Sequence, residues 1–271
     1  MKIFISDLHL GDGSRTDDFN RDRELIEFLD YVESKASELI IVGDLFELWQ
    51  ANLERVLFAH NKVIKRLLSL GGKIKLTYVI GNHDYIPFIR FIDSALGIEL
   101  EYRDTEDSIV AEHGNKYDIF NSYKNPLRSI KWPLGRRMAL FAAATERFLH
   151  KDADVWLSNR VEDIDSFLHQ AISMQNKVTP SSKQYIDQGG HFGEFSDAAI
   201  KHIEKGIKIV IFGHTHRPQL DIINNGIYAN CGTWIDDAMP TYIAYNKNNI
   251  QLREGLTHKV IKTLEVGKSC G

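Results

Sequence analysis

Only two cysteines, Cys231 and Cys270, occur in the 271 residues, far apart in the chain. They make no disulfide framework and fit a reducing compartment. Basic charge is not in excess either: 33 Lys and Arg stand against 37 Asp and Glu, a formal net charge of -4. That excludes a global attraction to nucleic acid or anionic membrane, so any polyanion site must be local. No apolar run approaches a membrane-spanning length, and MKIFISDLHLGD meets Asp7 too early for a signal peptide. Internal repeats and low-complexity tracts are also missing. These absences predict a cytoplasmic protein with no stable nucleic-acid partner. What the chain does have is 43% hydrophobic residues, enough for a substantial core in one large domain carrying an insertion.

Short apolar runs alternate with longer segments of helical period, the pattern of an α/β layered fold. KIFIS, ELIIVG, KIKLTYVIG, GIELEYR, DSIVAEHG and IKIVIFG read as strands. RDRELIEFLDYVESKA, NLERVLFAHNKVIKRLLSL, IPFIRFIDSALG and SDAAIKHIEKG read as helices, the second as one continuous helix. IYANCGTW and TYIAYNKNNIQLRE, with NN and GT turns, read as hairpin strands. The rhythm breaks at about residues 119–192, where a helical insertion with prolines at 126, 133 and 180 is expected.

Five of the strand candidates stop at polar clusters. KIFIS is followed by Asp7 and His9, ELIIVG by Asp44, KLTYVIG by Asn82, His83 and Asp84, SIVAE by His113, and KIVIFG by His214 and His216. The carboxyl ends of neighbouring strands in α/β sheets converge on one crevice, so residues scattered along the chain can meet there. Aspartate, asparagine and histidine without cysteine suit Mn, Fe, Zn or Mg better than a soft-metal site. The donors outnumber what one ion needs, and two ions sharing a carboxylate fit better. Paired divalent metals are the machinery of in-line displacement at phosphorus, so phosphoryl ester hydrolysis is the expected reaction class.

The ordered set DLH, GD, GNHD, HG and GHTH, from Asp7 to His216, resembles the pattern of the calcineurin-like metallophosphoesterases. Together the five motifs are highly specific, although each alone is weak. The resemblance implies a sandwich of two β-sheets flanked by helices. It implies that Asp7, His9, Asp44 and His216 hold one ion and that Asp44, Asn82, His113 and His214 hold the other, with Asp44 as the bridge. It further implies that His83 contacts the phosphate and protonates or stabilises the leaving oxygen, with Asp84 orienting its ring, and that manganese is the ion.

Within the superfamily, ISDLHLG, GDLFELW and GHTHRP are similar to the bacterial UDP-2,3-diacylglucosamine pyrophosphohydrolases of lipid A synthesis. An amphipathic substrate also suits the stretch from Lys124 to Lys151, where seven Lys or Arg stand against the single acid Glu146 among Trp, Leu, Met, Phe and Ala. Such a lid could hold acyl chains while Arg128, Arg136 and Arg137 meet phosphate or an anionic bilayer face; a cap helix with solvated arginines reads equally well. One departure is GNHD, where many of the lipid A enzymes carry GNRD. It leaves open a nucleotide or nucleic-acid phosphodiesterase of broad specificity. A non-catalytic scaffold is disfavoured because every ligand position is kept. His60, His169, His202 and His258 read as ordinary packing or surface residues.

Overall fold

The computed structural model describes residues 1–15, 17–84, 98–99, 101–117, 192–236 and 238–266. The expected insertion over 119–192 lies outside them apart from Phe192, as do Arg128, Arg136, Arg137 and the helix candidate at 86–97. The chain divides into two compact units, Met1–Asn115 with His202–Gly271, and Lys116–Lys201. In chain order the elements are β1 (Lys2–Ile5), α1 (Asp22–Lys35), β2 (Glu38–Val42), α2 (Leu53–Ala59), α3 (Asn61–Gly71), β3 (Lys75–Val79) and β4 (Ile98–Glu99). They continue with β5 (Tyr102–Asp104), β6 (Ile109–Ala111), α4 (Phe192–Ile203), β7 (Ile209–Phe212), β8 (Gln219–Ile223) and β9 (Gly226–Asn230). β10 (Thr241–Asn246), β11 (Asn249–Glu254) and β12 (Val260–Glu265) complete the α-helices and strands among the described residues.

Among the described residues two mixed sheets form. One has seven strands in the order β12-β11-β10-β1-β2-β3-β4, and the other five, β5-β6-β7-β9-β8. β1 to β4 run parallel within the first, and β6, β7 and β9 within the second. Strand β2 explains the layering. All five of its residues are buried. Leu39 and Ile41 join α1 and α3 side chains in one core, while Ile40 and Val42 join Ile109, Ile209, Ile211 and Ala229 of the second sheet in another. A parallel strand covered on both faces reads as an unbroken apolar run for this reason. On α1, Leu25, Phe28, Leu29 and Val32 are buried at helical spacing, and burying each contributes about 1.5–3 kcal/mol relative to exposure. Among the described residues no helix is long and apolar enough to cross a membrane.

The architecture is the expected two-sheet α/β sandwich, with differences in detail. GIELEYR is not one strand: Ile98–Glu99 adds to the seven-stranded sheet and Tyr102–Asp104 to the other. IYANCGTW and TYIAYN do not pair with each other either, because β9 and β10 lie in different sheets and the GT segment crosses between them. Their antiparallel partners are β8 and β11. β8 and β12 are strands that the sequence pattern did not announce.

The single helix expected over 52–70 divides at His60, which ends α2 and precedes α3. No glycine or proline marks the break. His60 is 4% exposed, with Nδ1 2.6 Å from Asp22 Oδ1 and Nε2 3.3 Å from Asp17 Oδ2. Burial disfavours its charged form, but hydrogen bonding to Asp17 and Asp22 outweighs this and raises the pKa above the ordinary value. A raised folded-state pKa gives stabilisation that is complete below the unfolded value and is lost as pH rises through the folded one. The stability gap between wild type and His60→Gln in urea is therefore expected to be larger at about pH 5.5 than at about pH 8.5. An equal gap at both would mean that the ring is not held as a cation between the two acids.

Candidate metal centre

The five polar clusters do meet, but at the ends of strands from two sheets rather than in the crevice of one. β1, β2 and β3 deliver Asp7, His9, Asp44, Asn82 and His83; β6 and β7 deliver His113, His214 and His216. Backbone bonds hold the first group together. Asp7 N donates to Gly43 O at 3.1 Å, and Leu8 N and His9 N both donate to Asp44 O, at 2.9 and 3.0 Å. From the second sheet, Gly213 N donates to His113 O at 3.1 Å, and His214 N donates to Asp7 Oδ2 at 2.9 Å.

Asp7, His9, Asp44, His214 and His216 all have positive φ, between 49° and 68°. Left-handed backbone costs a non-glycine residue about 1–2 kcal/mol, and Asp and His are among the side chains that tolerate it best. The residue types in D-x-H and H-x-H thus suit the backbone as well as the ion. Two glycines act through close approach. A Cβ on Gly43, itself at φ +85°, would lie 2.2 Å from His113 Nδ1, and one on Gly81 would lie 2.1 Å from Asp44 Oδ1.

Three groups of potential ligand atoms result among the described residues: a first cluster of Asp7 with His9 and His216, a second of Asp44 with His113 and His214, and a third of His9 and Asp44 with His83, which shares one residue with each of the other two. In the first, His216 Nε2 is 3.3 Å from Asp7 Oδ1 and 3.1 Å from His9 Nε2, and His9 Nε2 is 3.8 Å from both Asp7 Oδ1 and Asp44 Oδ2. In the second, His113 Nε2 is 3.0 Å from Asp44 Oδ2 and 3.0 Å from Asn82 Oδ1. Donor atoms sharing one ion at about 2.1 Å stand about 3 Å apart, so the spacings fit. Asp7 Oδ1 is buried and makes no hydrogen bond among the described residues, an arrangement whose cost a cation would remove. Burial pushes the Asp7 carboxyl up, but the His113 and His216 rings hold it well below the usual carboxylate range. Burial also disfavours the cation of His113, yet the charges of Asp44 and Asp7 raise its pKa to about 9.

His83 lies beside this centre, half-buried, with its backbone N–H donating to Asp44 Oδ1 at 2.8 Å. Its ring is not oriented by Asp84, as the family resemblance implied. Asp84 is committed to backbone, accepting from Asp44 N and Gly81 N at 2.8 Å and from Phe46 N at 2.9 Å. Burial and the nearby Asp44 charge raise its pKa to about 6. The partner of His83 is Glu47, whose Oε2 is 2.5 Å from His83 Nδ1 and 3.0 Å from His9 Nδ1. Trp49 stacks on the His83 ring with centroids 3.9 Å apart and planes 19° apart, and its Nε1 donates to Asn82 O at 2.7 Å.

A family model described as calcineurin-like phosphoesterase matches residues 3–218 of the chain. The chain belongs to this family. Among curated relatives, it is 27% identical to UDP-2,3-diacylglucosamine hydrolase of Aliivibrio fischeri over 80% of its length and 81% of the relative's. It is 25% identical to the enzyme of that name from Shewanella oneidensis, over 93% and 96% of the two chains. Among solved structures it is similar to a dimetal phosphatase from Danio rerio, at 11% identity, 98% coverage of each chain and a TM-score of 0.49. This calcineurin-like phosphoesterase is accordingly a metal-dependent phosphoester hydrolase.

Sequence reasoning overlooked Glu47 and Trp49, although both stand in GDLFELW. The signal was there: a single acid inside an apolar run is buried only if it is paired. Because one Glu47 oxygen serves two imidazoles of the phosphoesterase, Glu47→Gln is expected to lower kcat by about 10–100-fold. A rate within twofold of wild type would show that the two rings keep their geometry without the carboxylate.

Proposed function

We propose that the chain is a binuclear phosphohydrolase that cleaves the pyrophosphate bond of a UDP-2,3-diacylglucosamine-like lipid, releasing UMP and a lipid phosphate. Asp44 is the observation that carries the two-ion reading: its Oδ2 lies 3.0 Å from His113 Nε2 and 3.8 Å from His9 Nε2, within reach of both clusters. In this reading Asp7, His9, Asp44 and His216 hold one ion and Asp44, Asn82, His113 and His214 the other. A carboxylate is needed at the shared position because its two oxygens can reach two cations, which one imidazole nitrogen cannot. Manganese is the proposed ion, and the donor set also accepts Fe, Zn or Mg. Two divalent ions there supply neutralisation of phosphate charge and make water a nucleophile at neutral pH.

The remaining chemistry belongs to the side chains. Glu47 and Trp49 fix the His83 ring through Nδ1 and one face, leaving Nε2 to hydrogen-bond a phosphate oxygen and donate a proton to the departing one. Asp84 holds the turns carrying Asp44 and Gly81 rather than acting on substrate. The substrate class is supported by the names of the curated relatives. In the same reading the basic, apolar segment within 119–192 receives the acyl chains, with Arg128, Arg136 and Arg137 as phosphate contacts, at the cytoplasmic face of the membrane.

The test is UMP release with Mn²⁺ from UDP-2,3-diacylglucosamine and from its unacylated analogue, alongside bis-p-nitrophenyl phosphate and single-stranded DNA. The acylated substrate is expected to react at least about tenfold faster in kcat/KM than the unacylated one. Equal rates on the two sugars, or the fastest turnover on DNA, would sink the lipid assignment while leaving the phosphoesterase intact.

A further inference from the structure

We propose that Asn230 and Thr233 are positioning residues that set the distance between the two halves of the metal centre. The inference rests on the reading of Asp7, His214 and His216 as ion ligands. Asn230 ends β9, which lies beside β7 in the five-stranded sheet, and the residues from Cys231 to Thr233 lead from it to β10, which lies beside β1 in the seven-stranded one. The segment therefore crosses between the sheets at the strand ends from which His214 and Asp7 emerge. It lies beyond the residues 3–218 matched by the family model.

Each end of the crossing grips one half of the site. Asn230 Nδ2 donates to Gly213 O, the carbonyl just before His214, at 2.7 Å, while Asn230 Oδ1 accepts from Gly232 N at 3.0 Å. Thr233 Oγ1 donates to Asp7 O at 2.8 Å, and Trp234 N donates to the same carbonyl at 3.0 Å. Ser6 Oγ closes on Gly232 O at 3.0 Å. The circuit is completed by the His214 N–H on Asp7 Oδ2 at 2.9 Å. Asn230 is fully buried and Thr233 is 2% exposed, so bulk water does not compete for these bonds and their loss leaves buried groups unpaired.

The circuit matters because the residues it restrains are in left-handed backbone: Asp7 at φ 54° and His214 at 68°. Such conformations persist only where the surroundings over-determine them. Asp7 and His214 emerge from different sheets, so nothing local in the chain fixes their separation. The crossing segment does so by bonding the carbonyl of one and the carbonyl preceding the other.

The test is calorimetric titration of Mn²⁺ into metal-stripped wild type, Thr233→Val and Thr233→Ser, with the melting temperature of each metal-free protein measured in parallel. Thr233→Val, which keeps the shape and removes the hydroxyl, is expected to weaken Mn²⁺ binding roughly tenfold, and Thr233→Ser to stay within about twofold of wild type. A Val variant that melts lower yet binds Mn²⁺ as tightly as wild type overturns the proposal, since a merely structural threonine gives that result. Should Thr233→Val not fold, Thr233→Ala is titrated in its place with the same two outcomes. A wild type that binds no Mn²⁺ would overturn the ligand reading and the positioning role with it, whereas unchanged binding by the variant overturns the positioning role alone.

Discussion

Asp44→Asn is expected to lower kcat by more than about 10³-fold and to reduce the metal retained after dialysis, because loss of a partner one step removed from the metal costs about 10–100-fold and this residue is proposed to serve both ions directly. The substitution isolates the charge. Asp44 scaffolds through its backbone, with its carbonyl accepting from Leu8 N and His9 N and its N–H donating to Asp84 Oδ2, and asparagine keeps those bonds. Its side chain loses the anionic oxygen 3.0 Å from His113 Nε2. The checks are steady-state turnover with saturating Mn²⁺ and metal content by mass spectrometry. Wild-type metal content together with a rate within about tenfold of wild type would show that Asp44 does not bridge.

His83→Ala should separate metal binding from catalysis. The backbone N–H of residue 83 donates to Asp44 Oδ1 and survives the substitution, so metal content should stay at the wild-type level. Turnover should fall by about 10²–10⁴-fold, the usual contribution of a positioned proton donor. The loss should be largest for substrates with a basic leaving oxygen and smallest for bis-p-nitrophenyl phosphate, whose nitrophenolate departs without a proton. Equal losses across leaving groups would assign His83 to phosphate binding alone, and loss of metal would make it part of the ligand set.

Much of the candidate site was legible because its signals are local. A run such as IVIF followed by Gly213, His214 and His216 announces a buried strand and a polar stop within eight residues, and five such stops in order name a family. The roles around them were not legible. His83 and Asp84 are adjacent in sequence, and adjacency suggested that one orients the other, but the turn sends Asp84 to the amides of Asp44, Gly81 and Phe46. Glu47, in another loop, reaches both His83 and His9. Similarly His60 sat in an unbroken helical pattern, and nothing in that pattern announced its bonds to Asp17 and Asp22 at the point where the helix divides.

The sequence by itself determined the alternation of strands and helices, the order and residue types of the candidate metal donors and the reaction class, since these depend on residue type and short-range periodicity. Only the tertiary structure decided that the donors come from two sheets, that five of them occupy left-handed backbone, and that Glu47, Asn230 and Thr233 surround them. The physical reason is range. Hydrophobic periodicity is written along the chain, whereas a hydrogen bond between residues more than two hundred positions apart, such as Thr233 to Asp7, exists only once both sheets have packed and water has left the space between them.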